Sequence, residues 1–479
     1  MQKPDRIFAR DGEWDALVRF ASGTTPHPGL GVVSGRRRQG KTFLIESLAN
    51  LTGGLYFGAT EATETESLAL FAAALGRHLG QSSPPRLDTW DEAIRYLFAL
   101  EPGVGPFIID EFPYLTKGAP AVPSIIQREI DRAAFAQHPI RLLLCGSAMS
   151  VMGRLLAGNA PLRGRATLEM IVRPFEYWRA KEFWELEDPR LAVLVHSVVG
   201  GTPAYRALAR DDTPQSVADF EDWIKRTVLN SRTPLMREAR YLLEEEMAVR
   251  DTALYHSVLA AVAVGNNTRG GIANYVGRKS TDIGHHLVVL EDSGLLRAQT
   301  DIFRSRRAVY RIAEPLVTFY EVVMRSQWGL LESGRADTVW RLSGSKFSSQ
   351  IIGPHFEQLC RDFALWAEPE LYGGELPGEI GSGVVADPSR RSQIEIDVVV
   401  MGAASSGQRK KVLSLGEVKW GEVMGRRHVE RLERAKHLLS RDYDTSETKL
   451  ACYSGAGFEP GLDPEVLTIG LEQLYAVTP

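Results

Sequence analysis

Two sets of residues in this chain have the types and spacing for chemistry. The first is Gly35-Arg-Arg-Arg-Gln-Gly40-Lys41-Thr42, the pattern G-x-x-x-x-G-K-[ST]. Glycines let the backbone curl so that successive N–H groups point at phosphate oxygens, and a following helix adds its positive end. Lys41 is placed to reach the β- and γ-phosphates and Thr42 to help hold Mg²⁺. Arg38, Gln39 and Phe43 line the same turn, so the loop is expected to bind ATP through Gly35, Arg38, Gln39, Gly40, Lys41, Thr42 and Phe43. A basic turn between a strand and a helix is the plain alternative.

Further acids are needed for hydrolysis. "GPFIIDEFPYL" is an apolar run ending in Asp110 and Glu111. Asp110 suits a water-mediated Mg²⁺ contact, and Glu111 suits polarising the attacking water, since phosphoryl transfer rests on positioning and electrostatics. "RLLLCGSAMSVM" ends at Gly146-Ser147, where Ser147 is placed to sense the γ-phosphate. Arg163 and Arg165 in "APLRGRATLEM" are candidates for an arginine finger acting on a neighbouring subunit of a homo-oligomer. Ordinary surface salt bridges are the alternative.

The second set lies near the other end. "QIEIDVVVMG" alternates as a strand, "AASSGQRK" is a turn and "KVLSLGEVKW" is a second strand, which makes a hairpin. A period of two puts Glu395 with Asp397 on one face and Glu417 with Lys419 on one face. Glu357 lies on the upstream helix "IIGPHFEQLCRDFAL". Phosphodiester hydrolysis wants this set: hard oxygen ligands for Mg²⁺ or Mn²⁺ from Glu357, Asp397 and Glu417, and Lys419 to orient the water or offset charge. E-x-K is also a common surface pair. The apolar flanks of "LSLGEVKW" argue instead for a buried strand, where such charges need a partner or a metal.

The elements that carry these sets follow. Residues 1–175 alternate strands with helical patterns, which predicts an α/β fold with a parallel sheet. "GVV" is the strand before the loop, "KTFLIESLAN" the helix after it, and the N-terminal helix of "IFARDGEWDALVRF" is placed to cover the adenine. Residues 176–245 read as a helical lid, broken at "GGTPAY". Residues 246–325 give three helices and a two-stranded pattern, the order of a winged helix-turn-helix. Its third helix is expected in a DNA major groove, with Arg304, Arg306 and Arg307 of the wing on phosphate. A role as a protein–protein spacer is the alternative. Residues 326–345 read as a connecting helix and linker, and residues 346–479 as the last α/β domain.

Composition bounds the rest. The chain has 479 residues, 44% of them hydrophobic, with a net charge of −4, so any nucleic-acid binding must come from local patches. Its three cysteines lie far apart with no C-x-x-C, which argues against zinc or a disulfide framework and fits a reducing cytoplasm. The charged start lacks the apolar core of a signal peptide. No apolar run approaches the ~18 residues that span a bilayer. A cytoplasmic protein without a membrane partner is expected.

As an ordered set, "GRRRQGKTFLI", "FIIDEFPYL", "LLCGSAMSVM", "PLRGR" and "GGTPAY" resemble the archaeal-type ATPase family, of the STAND-related branch of AAA+-like P-loop NTPases. The resemblance covers roughly residues 5–325, including the winged helix. Residues 346–479 look like the domain often fused to these ATPases, which is similar to restriction-endonuclease-like PD-(D/E)XK nucleases. The resemblance implies ATP binding by Gly35, Gly40, Lys41 and Thr42, with Asp110 and Glu111 on metal and water. It implies Asp397, Glu417 and Lys419 as a nuclease core with Glu357 as the helix acid. The family usually has an aromatic residue where Arg163 sits, which leaves open whether Arg163 or Arg165 acts in trans. Two functions follow. One is a nuclease gated by ATP. The other is an ATP-driven, DNA-binding switch whose nuclease-like domain is a scaffold.

Overall fold

The computed structural model describes residues 1–23, 25–101, 105–246, 252–403 and 409–476. The chain divides into two compact units. One holds Met1–Pro174 with Asp292–Gly294, and the other holds Phe175–Glu291 and Leu295–Pro479.

The first unit runs α1 (Asp11–Ala21), β1 (Gly29–Ser34), α2 (Lys41–Thr52), β2 (Leu55–Gly58), α3 (Glu64–His78), α4 (Trp90–Phe98), β3 (Phe107–Asp110), α5 (Phe112–Gly118), α6 (Val122–Phe135), β4 (Arg141–Gly146), α7 (Met149–Leu156) and β5 (Ala166–Ile171). The strands pair in parallel in the order β2-β3-β4-β1-β5. They are apolar on both faces because both faces are covered. Val33, Ile108, Leu143 and Cys145 pack with Trp14, Leu17, Ile45 and Leu48 of α1 and α2. Their neighbours Val32, Ile109, Leu142 and Leu144 pack on the other side with Phe71, Leu75, Ile94 and Ile126 of α3, α4 and α6. The result is a helix–sheet–helix sandwich. Parallel pairing brings the ends of β1, β3 and β4 to one edge, so Gly35, Asp110 and Ser147 all leave the sheet there.

The second unit opens with α8 (Tyr177–Phe183), α9 (Pro189–Val199), α10 (Ala204–Leu208), α11 (Phe220–Arg226) and α12 (Pro234–Glu246). α9 stops at Gly200, whose φ of 58° suits glycine. At Gly201 a Cβ would stand 1.8 Å from the Phe175 carbonyl oxygen, so only glycine fits. The helices α13 (Thr252–Ala263), α14 (Arg269–Val276) and α15 (Gly284–Asp292) precede an antiparallel hairpin of β6 (Leu296–Asp301) and β7 (Arg304–Ile312). Three helices then a hairpin is the expected order. The side chains of Arg306 and Arg307 lie outside the described residues.

Residues 326–345, expected as a connecting helix and linker, are helical for most of their length. α16 (Pro315–Phe319) continues through a π-helical turn into α17 (Trp328–Glu332). α18 (Ala336–Lys346) passes through a second π-helical stretch, Phe347–Ile352, into α19 (Gly353–Trp366). β8 (Pro377–Asp387), β9 (Ser392–Gly402), β10 (Val412–Lys419), α20 (Arg426–Leu439), β11 (Lys449–Ser454), β12 (Leu467–Ile469) and α21 (Leu471–Tyr475) complete the unit. The second sheet has the order β12-β11-β10-β9-β8. β8, β9 and β10 are antiparallel, whereas β11 and β12 join in parallel. One apolar cluster joins the helices from Tyr177 onward to α19 and to Val398, Val400 and Tyr453 of the sheet. The other face of the sheet packs Val399, Met401 and Leu415 against Leu432, Ala435 and Leu439 of α20.

Candidate functional sites: a phosphate loop and an acidic strand fork

The loop after β1 is closely constrained. Gly35 has φ 149°, and a Cβ there would meet the Val172 carbonyl oxygen at 2.3 Å. Gly40, at φ 85°, starts α2 in a left-handed conformation that costs glycine little. Arg38 also has a positive φ, 70°. The loop thus curls as the motif requires. Lys41 is buried, and its Nζ donates to the Arg36 carbonyl at 2.9 Å, which holds the ammonium inside the turn. Gln39 is buried and Phe43 is exposed, its ring 5.1 Å from the Arg6 guanidinium. The N-terminal segment reaches the loop through Arg10, which donates to the carbonyls of Arg173 at 2.6 Å and Gln39 at 3.4 Å.

The expected acids stand beside it. Thr42 Oγ1 donates to Asp110 Oδ2 at 2.7 Å, and the Tyr56 hydroxyl donates to the same oxygen at 2.9 Å. Asp110 Oδ1 accepts the Glu111 N–H at 2.8 Å. Glu111 is itself in the left-handed region, φ 49°, which turns the chain sharply at the strand's end. Its Oε2 accepts from Ser147, from the hydroxyl at 2.9 Å and the N–H at 3.3 Å. Ser147 therefore holds Glu111 and stands at the expected strand tip. Burial first, then Asp110, pushes the Tyr56 hydroxyl well up, so it stays a donor. Burial likewise raises the Cys145 thiol beneath the site and keeps it unreactive. Tyr56 was not legible in the sequence, because nothing in its own segment marks it as a partner of Asp110.

Arg165 is not brought to this loop. Ala166 pairs with Leu30 at the start of β1, so Arg165 lies at the opposite edge of its own sheet from Gly35. Its guanidinium grips Asp131 with two bonds of 2.8 Å, and Arg163 donates to the Gly158 carbonyl at 2.6 Å.

In the second unit β9 and β10 diverge at the acids. Their register pairs Val398 with Gly416. One step further, the Val418 N–H donates to the Asp397 side chain at 2.9 Å. The fork brings Asp397, Glu417 and Lys419 together. Lys419 Nζ lies 3.1 Å from Glu417 Oε1. Arg431 of α20 donates to the same oxygen at 2.8 Å and to the Glu395 carbonyl at 3.0 Å. Glu417 is buried, and among the described residues its Oε2 has no hydrogen-bond partner. Burial, then the Glu357 carboxylate, pushes Asp397 up to about 7, because two like charges in a water-poor place disfavour ionisation.

Glu357 is held differently from the expected metal ligand. Its Oε2 stands 3.3 Å from Arg311 of β7 and 3.8 Å from Arg361 of its own helix. Two guanidinium groups take the charge that a cation was expected to take. Arg361 is buried and donates to the Asp397 carbonyl at 2.8 Å. Among the described residues no group of three or more His, Cys, Asp or Glu is arranged to hold a metal ion.

The period-two count that runs through Glu395 is broken beside Asp397, by a bulge between Ile396 and Val399. Gly381 pairs with Val399 and Gly383 with Ile396, so β9 spends one residue more than β8 between them. Ile394 and Ile396 pack on the α20 side, whereas Val398 and Val400 pack on the α19 side. An extra residue flips the alternation, and such bulges re-aim side chains. Arg311, Arg361 and Arg431 were missed in the sequence. Arg361 is four residues after Glu357, a helical spacing that offered a signal. Arg431 comes from α20 and Arg311 from the hairpin, and no local pattern pairs either with its acid.

No protein-family model matches the chain. It is 27% identical over 338 residues to the uncharacterized protein MJECL04 of Methanocaldococcus jannaschii, covering 70% of this chain and 72% of that protein. The structure resembles the Walker-type ATPase of Pyrococcus abyssi, with a TM-score of 0.50 at 19% identity, over 67% of this chain and 97% of that one. The ORC2 protein of Aeropyrum pernix, in ADPNP and ADP complexes, matches with a TM-score of 0.42 at 14% identity, over 72% of this chain and 97% of that one, too loosely to carry an argument. The five-stranded parallel sheet with its loop after β1 has the P-loop ATPase fold. Among the described residues no helix is long and apolar enough to cross a membrane.

Proposed function

We propose that this chain binds and hydrolyses ATP, binds DNA, and cleaves it at the β9–β10 fork under nucleotide control. The observation that supports it most is the row Thr42–Asp110–Glu111–Ser147, linked by hydrogen bonds at the edge where the phosphate loop leaves the sheet. Thr42 and Asp110 offer oxygen donors to one point and fit Mg²⁺. When bound, that ion neutralises the phosphate oxygens. The N–H groups of the loop and Lys41 cradle the phosphates. Glu111, once released by Ser147, orients the attacking water. Arg163 or Arg165 remains the candidate finger for a neighbouring copy of the chain.

At the fork, Asp397 and the unpartnered oxygen of Glu417 fit a divalent cation, Mg²⁺ or Mn²⁺, as hard oxygen donors. Glu357 fits it poorly, because Arg311 and Arg361 already hold it. A cation bound there would polarise the phosphate and acidify a water. Lys419 supplies positive charge where the attacked phosphate gains negative charge. α15 and the hairpin, with Arg304, are the elements proposed to meet DNA.

The test is cleavage of plasmid and single-stranded DNA with Mg²⁺ or Mn²⁺, with and without ATP, by wild type, Asp397→Ala and Lys41→Ala. Cleavage that disappears in Asp397→Ala supports the nuclease, and its loss in Lys41→Ala supports nucleotide control. A second reading has its own observation. Glu417 is already paired with both Arg431 and Lys419, as in a neutralised scaffold. DNA binding without cleavage under any of these conditions would leave an ATP-driven, DNA-binding switch.

A further inference from the structure

The hairpin tip is not free. Ile302 and Phe303, in the turn between β6 and β7, join the apolar cluster under α20, with Val385, Ile394, Ile396 and Val399. The Ile302 N–H donates to the Ser382 carbonyl at 3.1 Å, which adds the turn to the edge of the second sheet. Asp301, buried, accepts the Phe303 N–H at 2.9 Å and the Val384 N–H at 3.2 Å. Phe303 meets the Tyr443 ring edge-on, centroids 5.3 Å apart.

The socket is made of glycine. A Cβ on Gly383 would stand 2.4 Å from the Phe303 ring, and one on Gly381 would stand 3.2 Å from Ile302. Those two glycines bracket the register shift, which puts the extra residue of β9 in the stretch between Ile396 and Val399 that holds Asp397. The socket and the bulge are therefore one irregularity, seen from β8 and from β9. Further along the hairpin, Gln299 donates to Gln358 at 2.9 Å and Arg311 pairs with Glu357 on α19. The hairpin thus touches both flanks of the fork.

We infer that Ile302 and Phe303 are positioning residues for the acid site: the seated tip fixes the β8–β9 bulge and so aims Asp397 at the Val418 N–H. A bulged, glycine-lined strand edge slips easily, because its side chains do not pin the register. Two apolar side chains seated in it supply the missing anchor. A hairpin drawn away by another partner would then disturb the fork without touching it. The inference rests on the proposed acid site for its consequence, not for its geometry.

The test is hydrogen exchange of the full-length chain, read at the Ile302 and Val418 amides, with Mn²⁺ binding measured in parallel. Phe303→Ala empties the socket, Gly383→Leu fills it from the other side, and Phe303→Leu is the conservative control. Both disruptive variants should speed exchange at Ile302 and at Val418 by tenfold or more, with β1 and β4 amides unchanged, and Phe303→Leu should restore protection. Faster exchange at Ile302 with Val418 unchanged overturns the inference. So does full protection of Ile302 in both disruptive variants. The acid site itself is judged separately. If wild type and Asp397→Asn bind Mn²⁺ alike, the metal reading of the fork fails, while the coupling of tip to Val418 stands or falls on exchange alone.

Discussion

Thr42 donates its hydroxyl to Asp110 at 2.7 Å across 68 residues of sequence. The same carboxylate oxygen accepts from Tyr56, and its twin orders the Glu111 backbone. Asp110→Asn should therefore keep the fold and lower the ATP turnover number by roughly 10²–10³, the scale of removing one group aimed at transition-state charge. Steady-state hydrolysis with Mg²⁺ measures it, and turnover within a fewfold of wild type would remove Asp110 from the site.

Glu111 and Ser147 should separate. Glu111→Gln is expected to retain ATP while losing hydrolysis by about 10²-fold or more, since only water positioning is lost. Ser147→Ala, which removes one donor to Glu111, should cost less than about tenfold, near one ordinary hydrogen bond. Equal losses in the two variants would show that Ser147 does more than supply one ordinary hydrogen bond to Glu111.

The two sites should be chemically independent in their lysines. Lys41→Ala should weaken ATP binding at least about 100-fold, or ~2.7 kcal/mol, measured by calorimetry. Lys419→Ala should leave ATP hydrolysis intact. Abolished turnover in a well-folded Lys419→Ala protein would dissolve the division into two sites.

Gly201→Ala should be costly, because its Cβ would overlap the Phe175 carbonyl oxygen and the backbone must move. A loss of about 3 kcal/mol or more is expected. Urea unfolding followed by the tryptophans of the second unit, Trp184 and Trp223 among them, reads it. A loss below about 0.5 kcal/mol, as at an ordinary surface site, would mean that the chain does not pass so closely here.

Acid should weaken the second unit through His196. The ring is partly buried, its Nε2 fully so, 2.8 Å from His355 nitrogen to nitrogen, and burial pulls it down from the ordinary 6.5 to about 4. Below pH 6.5 the unfolded chain takes up a proton that the folded ring refuses, so stability is lost as pH falls from about 6.5 toward 4. The loss approaches about 3 kcal/mol for this ring alone. Urea midpoints at pH 7, 6 and 5 measure it, and His196→Asn should flatten the curve. An unchanged slope in that variant would place the acid sensitivity elsewhere.

Much of the first unit was legible in the sequence because its signals are local. Gly35 and Gly40 curl the four residues between them by their own conformational freedom, and "FIIDE" announces a buried strand ending in acids. Neither needs a distant partner to be read. The break in the helices at Gly200-Gly201 is of the same kind. Near the fork, the E-x-K spacing placed Glu417 and Lys419 on one face of β10, 3.1 Å apart.

Tertiary structure decided what those residues can reach. Period-two counting assumes an unbroken ladder, and one extra residue in β9 between Ile396 and Val399 ends the count just past Glu395, in the stretch that holds Asp397. Arg165 follows the motif order of the chain, yet parallel pairing puts it at the edge of its sheet opposite its own phosphate loop. Glu357 keeps its place on α19 but meets Arg311 from a hairpin 46 residues earlier. Sequence by itself determined the phosphate loop, its acids and the order of the elements, because short-range backbone geometry sets them. Register, bulge and ion-pair partners were decided by packing, because a one-residue slip or one arriving arginine changes them without leaving any mark on the local pattern.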